Sequence, residues 1–124
     1  MTLTGARTVI VLLPLVFPFV AMAAPEWPLA KPIRIEVISA AGGVADIVPR
    51  VLSHPLAKSI GEPVVVENRP GAGGNIAAGI VAKADPDGHS LLMTGSNQAV
   101  NPTLLPNPGF DYGRDLAPLA ECGQ

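Results

Sequence analysis

Two glycine-rich loops constrain the fold of this chain most strongly, because each follows a strand-like segment and precedes a helix-like one. The first loop covers residues 39–43 and the second loop covers residues 68–74. Short connections of this kind between strands and helices are typical of a parallel sheet covered by helices. We therefore predict an α/β protein with the order β-α-β-α-β and right-handed crossovers. Residues 101–124 are rich in proline and glycine, so we expect that segment to be mostly irregular.

Three short segments have the signals of β-strands. Residues 33–38 alternate between apolar and charged side chains, and a period of two predicts a strand. Residues 64–67 and 91–94 are the second and third predicted strands. Between these two, Asn75 is a good N-cap for a second helix over residues 76–84.

The first helix carries conflicting signals. Asp46 is a candidate N-cap for a helix that reaches about Ile60, with Gly61 as its C-terminal stop. However, Pro55 lies in the middle of this helix, where a proline removes a backbone hydrogen bond and costs about 3 kcal/mol. We therefore expect the helix to kink or break at residues 53–54.

The N-terminal segment, residues 1–23, has the features of a secretory signal peptide. Its single charged residue, Arg7, precedes an apolar run over residues 8–20, and residues 21–23 have the small-x-small pattern of a cleavage site. The run is shorter than the roughly 20 residues that span a bilayer, which disfavours the alternative of a membrane anchor. We predict that residues 24–124 are exported as the mature chain.

Composition and motif searches exclude several classes of function. A net charge of -2 provides no basic surface for nucleic acid, and one cysteine excludes an intrachain disulfide or a cysteine-based zinc site. The chain has no dinucleotide fingerprint, phosphate loop or nucleophile elbow. His54 and His89 are predicted to be surface or turn residues, and Asp85 and Asp87 to be solvated in a turn. We therefore predict no enzyme, no catalytic residue, no metal site and no cofactor.

Both glycine-rich loops are candidate anion sites. Amides at a helix N-terminus lack acceptors within the helix and carry partial positive charge, and glycine lets a ligand approach the backbone. In an open α/β sheet such loops lie at the carboxyl ends of the strands, where ligands bind. From the spacing alone the alternative stays open that the glycines only form tight turns.

Several motifs, in the same order along the chain, resemble one family of receptors. The longest is Val-Glu-Asn-Arg-Pro-Gly-Ala-Gly-Gly-Asn at residues 66–75. Ala-Gly-Gly-x-x-Asp at residues 41–46, Asp-Pro-Asp-Gly at residues 85–88, Asn101-Pro102 and Phe-Asp-Tyr-Gly-Arg-Asp-Leu-Ala-Pro at residues 110–118 extend the match. Together they resemble the N-terminal portion of the Bug (TctC-like) extracytoplasmic solute receptors of tripartite tricarboxylate transporters.

The resemblance implies a periplasmic protein of two α/β lobes that close on a small carboxylated ligand and serve a membrane permease. It implies that loop backbone groups hold the carboxylate, and that Asp46 caps a helix rather than contacting an anion, because like charges repel. At the matching positions, the implied ligand-binding residues are Ala41, Gly42, Gly43, Gly71, Ala72, Gly73, Gly74 and Asn75, with Ser96 and Asn97 as weaker candidates after the third strand.

The length of the chain affects this expectation. A complete receptor of the family is roughly three times as long as a domain of about 100 residues, so we expect residues 24–124 to be a truncated N-terminal part of a lobe, with the second lobe missing. A ligand would then be half enclosed, whereas good pockets bury about 70–90% of their ligand. We predict a receptor fragment with millimolar or weaker affinity for a carboxylate, about -4 kcal/mol or less favourable. The alternative is a truncated or decayed copy that binds no ligand.

Overall fold

A computed structural model describes Trp27, residues 31–105 and residues 107–122. The predicted signal peptide, residues 1–23, lies outside the described residues. The strands are β1 (Ile33–Val37), β2 (Val64–Asn68) and β3 (Ser90–Met93), and the α-helices are α1 (Val44–Ile60), α2 (Asn75–Ala82) and the short α3 (Asn101–Leu104). Two 3₁₀ turns, Ala72–Gly74 and Ser96–Ala99, precede α2 and α3.

The three strands form a parallel sheet in the order β2-β1-β3, which confirms the predicted α/β architecture. Ile35 in the central strand pairs with Val66 on one side and Leu91 on the other. Because all strands run in one direction, their carboxyl ends meet at one edge of the sheet. The loops that follow the strands therefore start side by side.

The core is centred on β1 and the helix α2. Ile33, Ile35 and Val37 are buried, with Val37 at 0% exposure, as their alternation predicts. Ala77 and Ala78 in α2 are also fully buried. Their small side chains let the helix backbone lie close to its neighbours. Within the part of the chain that the structure describes, we find no helix long and apolar enough to cross a membrane.

Helix α1 begins three residues earlier than predicted, so the prediction of Asp46 as its N-cap is wrong. Gly43 is the N-cap, and its carbonyl accepts the amide of Asp46 at 2.9 Å. The Asp46 carboxylate instead reaches back to the amide of Gly42 at 2.8 Å. The predicted end is confirmed, because Gly61 adopts a left-handed conformation and donates its amide to Ala57.

The expected break at residues 53–54 is also wrong, because α1 continues through both Pro49 and Pro55. The carbonyl that loses a hydrogen bond to Pro55 belongs to Val51, which is 67% exposed on the outer face of the helix. Water can hydrogen-bond to a carbonyl on a solvent-facing side. The missing bond is therefore less costly here than it would be against the sheet.

Replacing Pro55 with alanine is expected to stabilise the chain by about 1–2 kcal/mol. The substitution restores one helical hydrogen bond, and the gain is reduced because alanine leaves the unfolded chain more flexible. Urea unfolding measures the change. His54→Ala, at the exposed neighbouring position, is the matched control and should change the stability by less than about 0.5 kcal/mol. A lower urea midpoint for Pro55→Ala than for the unmodified chain would contradict the expectation.

The start of α2 differs from the prediction as well. Asn75 is its first residue rather than its N-cap, and Gly74 is the N-cap with a φ of 97°. The 3₁₀ turn Ala72–Gly74 leads directly into the helix, so the amide of Asn75 donates to Ala72. The side chain of Asn75 is thereby free to contact distant residues, as described below. The helix ends at Ala82, two residues before the predicted end.

His89 is buried, at 4% exposure, so it is not a surface histidine, although it does lie in the bend that precedes β3. Its ring packs against Trp27 with 6.1 Å between the ring centroids, and its carbonyl accepts the Arg34 amide at 2.7 Å. Its amide donates to Asp87, whose pKa is held at about 2 by hydrogen bonds from Lys31 and from this amide. His54, by contrast, is exposed as predicted.

Candidate functional site

The loops after all three strands meet at the carboxyl edge of the sheet. The Ile38 amide at the end of β1 donates to Met93 at 3.3 Å, and the Arg69 amide after β2 donates to Val37 at 2.8 Å. The first loop, the second loop and the turn Ser96–Ala99 therefore begin next to one another. This edge is where ligands bind in open α/β sheets.

The first loop is fixed by a polar cluster, the Asp46 cluster, made of Asp46, Arg50 and Asn68. The Asp46 side chain is 3% exposed, and its two oxygens accept Arg50 Nε, the Gly42 amide and Asn68 Nδ2, each at 2.8 Å. These hydrogen bonds, led by that from Arg50, hold the pKa of Asp46 well below its usual range. Asn68 Nδ2 also donates to the Ser39 carbonyl at 3.0 Å. The cluster thus ties the first loop to the end of β2.

Four backbone amides of the predicted site are already engaged within the chain. The Gly42 amide donates to Asp46 and the Gly43 amide to Ala40, while those of Gly74 and Asn75 donate to Gly71 and Ala72. These four amides therefore hold the two loops in shape. In α1 the amides of residues 44 and 45 cannot find acceptors inside a helix that begins at residue 44. The sequence analysis did not consider these two amides because it placed the helix start at Asp46.

The second loop passes closely between β1 and the turn after β3. Gly74 is buried and has a φ of 97°, which an L side chain rarely adopts. A Cβ at this position would meet the side-chain amide of Gln98 and lie 3.0 Å from Cγ2 of Ile38. Glycine is therefore required here for close packing of the three loops.

The second loop is held by two residues from other parts of the chain. The sequence analysis did not place either of them in the site. Asn101 is buried at 5% exposure, and its Nδ2 donates to the Gly73 carbonyl at 2.8 Å and to Asn75 Oδ1 at 3.0 Å. The Tyr112 hydroxyl hydrogen-bonds the same Asn75 oxygen. The sequence held one signal for these two residues, because Asn101-Pro102 and residues 110–118 are among the motifs that resemble the receptor family.

The arginines beside the loops are paired with carboxylates of the chain itself. Arg50 contacts Asp46, and Arg69 lies 3.4 Å from the buried carboxylate of Glu36 and 2.6 Å from that of Glu67. Both pairings raise the pKa of the arginine concerned. A carboxylate ligand at this edge would therefore meet dipolar amides more directly than free guanidinium groups.

The predicted site residues do not all line the same cavity. An open cavity of about 330 Å³ beside the second loop is lined by Ala72 and Asn75, whereas Ser96 lines a separate cavity of about 640 Å³ that β3 forms with residues 118–122. Ala41 and Gly42 are exposed in the first loop, outside the lining of both cavities. Across Trp27, 31–105 and 107–122, we find no group of three or more metal-binding side chains.

Comparison with known proteins gives consistent matches. The model of the tripartite tricarboxylate transporter family receptor, TctC, matches residues 48–123. A UPF0065 protein of Bordetella bronchiseptica is 42% identical over 93% of this chain and 35% of its own length. The protein BugT of Bordetella pertussis is 39% identical over 82% of this chain and 32% of its own length. The chain thus spans about a third of the length of these curated relatives.

Solved structures agree with the sequence matches. A structure described as a periplasmic transporter is 44% identical, with a TM-score of 0.59 over 65% of this chain and 27% of its own. An R. palustris protein solved with adipate is 34% identical, with a TM-score of 0.51 over 54% of this chain and 22% of its own. The partial coverage fits the N-terminal portion of a receptor. The parallel sheet and the match over residues 48–123 show that this chain belongs to the Bug-like TctC family of tripartite tricarboxylate transporter receptors.

Proposed function

We propose that this chain supplies part of a periplasmic solute-binding receptor for a small carboxylate, which a tripartite transporter permease would accept. The observation that carries the proposal is the convergence of the glycine-rich loops and the N-terminus of α1 at one edge of the parallel sheet. Amides at such an edge stabilise a carboxylate without a metal or a cofactor. Support also comes from a relative solved with adipate.

Export through the predicted signal peptide, residues 1–23, is part of the same proposal. Loop amides at this edge can bind and orient an anion, and the matching family model is that of a receptor. We therefore propose a binding function rather than an enzymatic one.

One observation favours a second candidate, a decayed copy without binding of its own. Val44, Ile47 and Val51 form an exposed apolar stripe on α1, at 84%, 54% and 67% exposure. A patch of this kind is usually covered by other protein. A chain that lacks this cover would be expected to hold a ligand poorly or to aggregate.

Periplasmic expression followed by adipate titration tests both candidates. The expected product has the intact mass of residues 24–124, and its loop amide signals in nitrogen–proton NMR spectra should shift with a dissociation constant of about 1 mM or weaker. The neutral diamide of adipic acid is the control, and it should cause smaller shifts because it lacks the charge. Micromolar binding would contradict the expected weak affinity. Unchanged loop signals at about 100 mM adipate would favour the second candidate.

A further inference from the structure

The orientation of the Asn75 carboxamide follows from its hydrogen bonds. The Gly73 carbonyl can only accept, so the Asn101 atom that lies 2.8 Å from it must be the donor Nδ2. The same Nδ2 lies 3.0 Å from the Asn75 side chain, so the Asn75 atom at that point must be the acceptor Oδ1. The amide direction of Asn75 is thus determined by a chain of contacts that ends on a backbone carbonyl.

Tyr112 is a second donor to the same oxygen, and its own position is well supported. Its hydroxyl bonds Asn75 Oδ1, while its ring meets the edge of Phe110 with 4.7 Å between the centroids. Phe110 lies against α2 at Gly79, where an added Cβ would be 3.5 Å from the Phe110 ring. In the turn that carries Tyr112, the carboxylate of Asp111 accepts two backbone amides at 2.9 Å. Tyr112 is therefore held by packing on one side and by a hydrogen-bonded turn on the other.

With Oδ1 directed to Asn101 and Tyr112, the NH₂ group of Asn75 lies on the opposite side of the carboxamide. Asn75 lines the open cavity of about 330 Å³, together with Ala72, Ile76, Leu105, Asn107 and Pro108. This volume is at the lower end of the roughly 300–1,000 Å³ typical of small-molecule sites. The lining is mainly apolar with few polar groups, which suits a carboxylate on a short aliphatic chain.

We propose that Asn101 and Tyr112 are positioning residues that turn the Asn75 NH₂ group toward this cavity, where it donates to a carboxylate of an aliphatic ligand. The inference rests on the proposed function and specifies one contact of the site. It assigns a ligand-contacting role to the Asn75 side chain, in addition to the backbone amides.

The test follows the Asn75 side-chain NH₂ signals by NMR during a titration of the mature chain with adipate. Asn75→Asp keeps the acceptor oxygen but replaces the NH₂ group by a negative charge, and we expect at least about tenfold weaker adipate binding with the fold retained. Tyr112→Phe removes only the hydroxyl and keeps the ring packing. We expect it to weaken adipate binding about threefold and to move the Asn75 NH₂ signals in the absence of adipate.

Thr103→Asp is the matched control, because it adds the same charge at an exposed position two residues from Asn101. It should bind adipate as the unmodified chain does. Shifts of loop amides without a shift of the Asn75 NH₂ signals would overturn this inference and leave the proposed function intact. An Asn75→Asp variant that binds adipate as the Thr103→Asp variant does would overturn it as well. Unchanged signals in every loop would overturn the proposed function, and this inference with it.

Discussion

Replacing Asp46 with alanine is expected to lower the melting temperature of this chain by roughly 10 °C or more. The buried Asp46 carboxylate accepts hydrogen bonds from the Gly42 amide, from Arg50 Nε and from Asn68 Nδ2, each at 2.8 Å. Removing it takes a buried acceptor from three donors at once. The first loop would keep the hydrogen bond from Asn68 Nδ2 to the Ser39 carbonyl, but it would lose the connection to the end of β2 that runs through Asp46.

Thermal melting followed by circular dichroism measures this effect. Asp46→Asn is the informative second variant, because it keeps the shape but replaces one acceptor oxygen by a donor and removes the charge. It should therefore also destabilise the chain, though less than alanine does. Asp85→Ala is the matched control, because the Asp85 side chain is 87% exposed. This variant should have a melting temperature close to that of the unmodified chain. Equal melting of the Asp46→Ala and Asp85→Ala variants would show that the Asp46 cluster contributes nothing.

Replacing Gly74 with alanine should destabilise the chain by about 2–4 kcal/mol, because conformational strain adds to overpacking. The residue has a φ of 97°, and the new methyl group would meet the Gln98 amide and lie 3.0 Å from Cγ2 of Ile38. The end of Gln98 can move, but the branched Ile38 side chain is attached next to the sheet. We therefore expect the second loop to be displaced from β1.

Urea unfolding of Gly74→Ala beside Gly79→Ala separates this strain from the general effect of adding a methyl group. Gly79 lies inside α2, and its added Cβ would contact the Phe110 ring at an ordinary 3.5 Å. Alanine is favoured over glycine within a helix, so this control should gain about 0.5–1 kcal/mol. If both variants are stabilised, the close approach at Gly74 does not limit the packing of the loops.

Local sequence patterns predicted the frame of this fold. The alternation that begins at Ile33 predicted the central strand, and Gly61 predicted the end of α1. The position of the glycine-rich loops after the strands predicted that they meet at one edge of the sheet. These features depend on neighbours within a few residues, where periodicity and turn chemistry are informative.

The errors arise where distant residues decide the local structure. Asp46 and Asn75 are both good N-caps by residue type, but their side chains bond Asn68, Asn101 and Tyr112, which lie 22, 26 and 37 residues away. Local propensity carries no information about such partners. The expected break at Pro55 was wrong for a related reason, because the cost of a proline depends on which face of the helix it weakens.

The paired arginines beside the loops have a consequence for how an anion would reach the protein. Arg50 and Arg69 direct their charge to carboxylates of the chain, at 2.8 Å and 2.6 Å. The pairing leaves little of their positive charge to attract an anion at long range, and the fields of loop amide dipoles decay faster with distance than those of net charges. These two arginines would therefore add little to the electrostatic steering of an anion toward this edge. Selection among anions would accordingly occur at contact, by shape, rather than during diffusion.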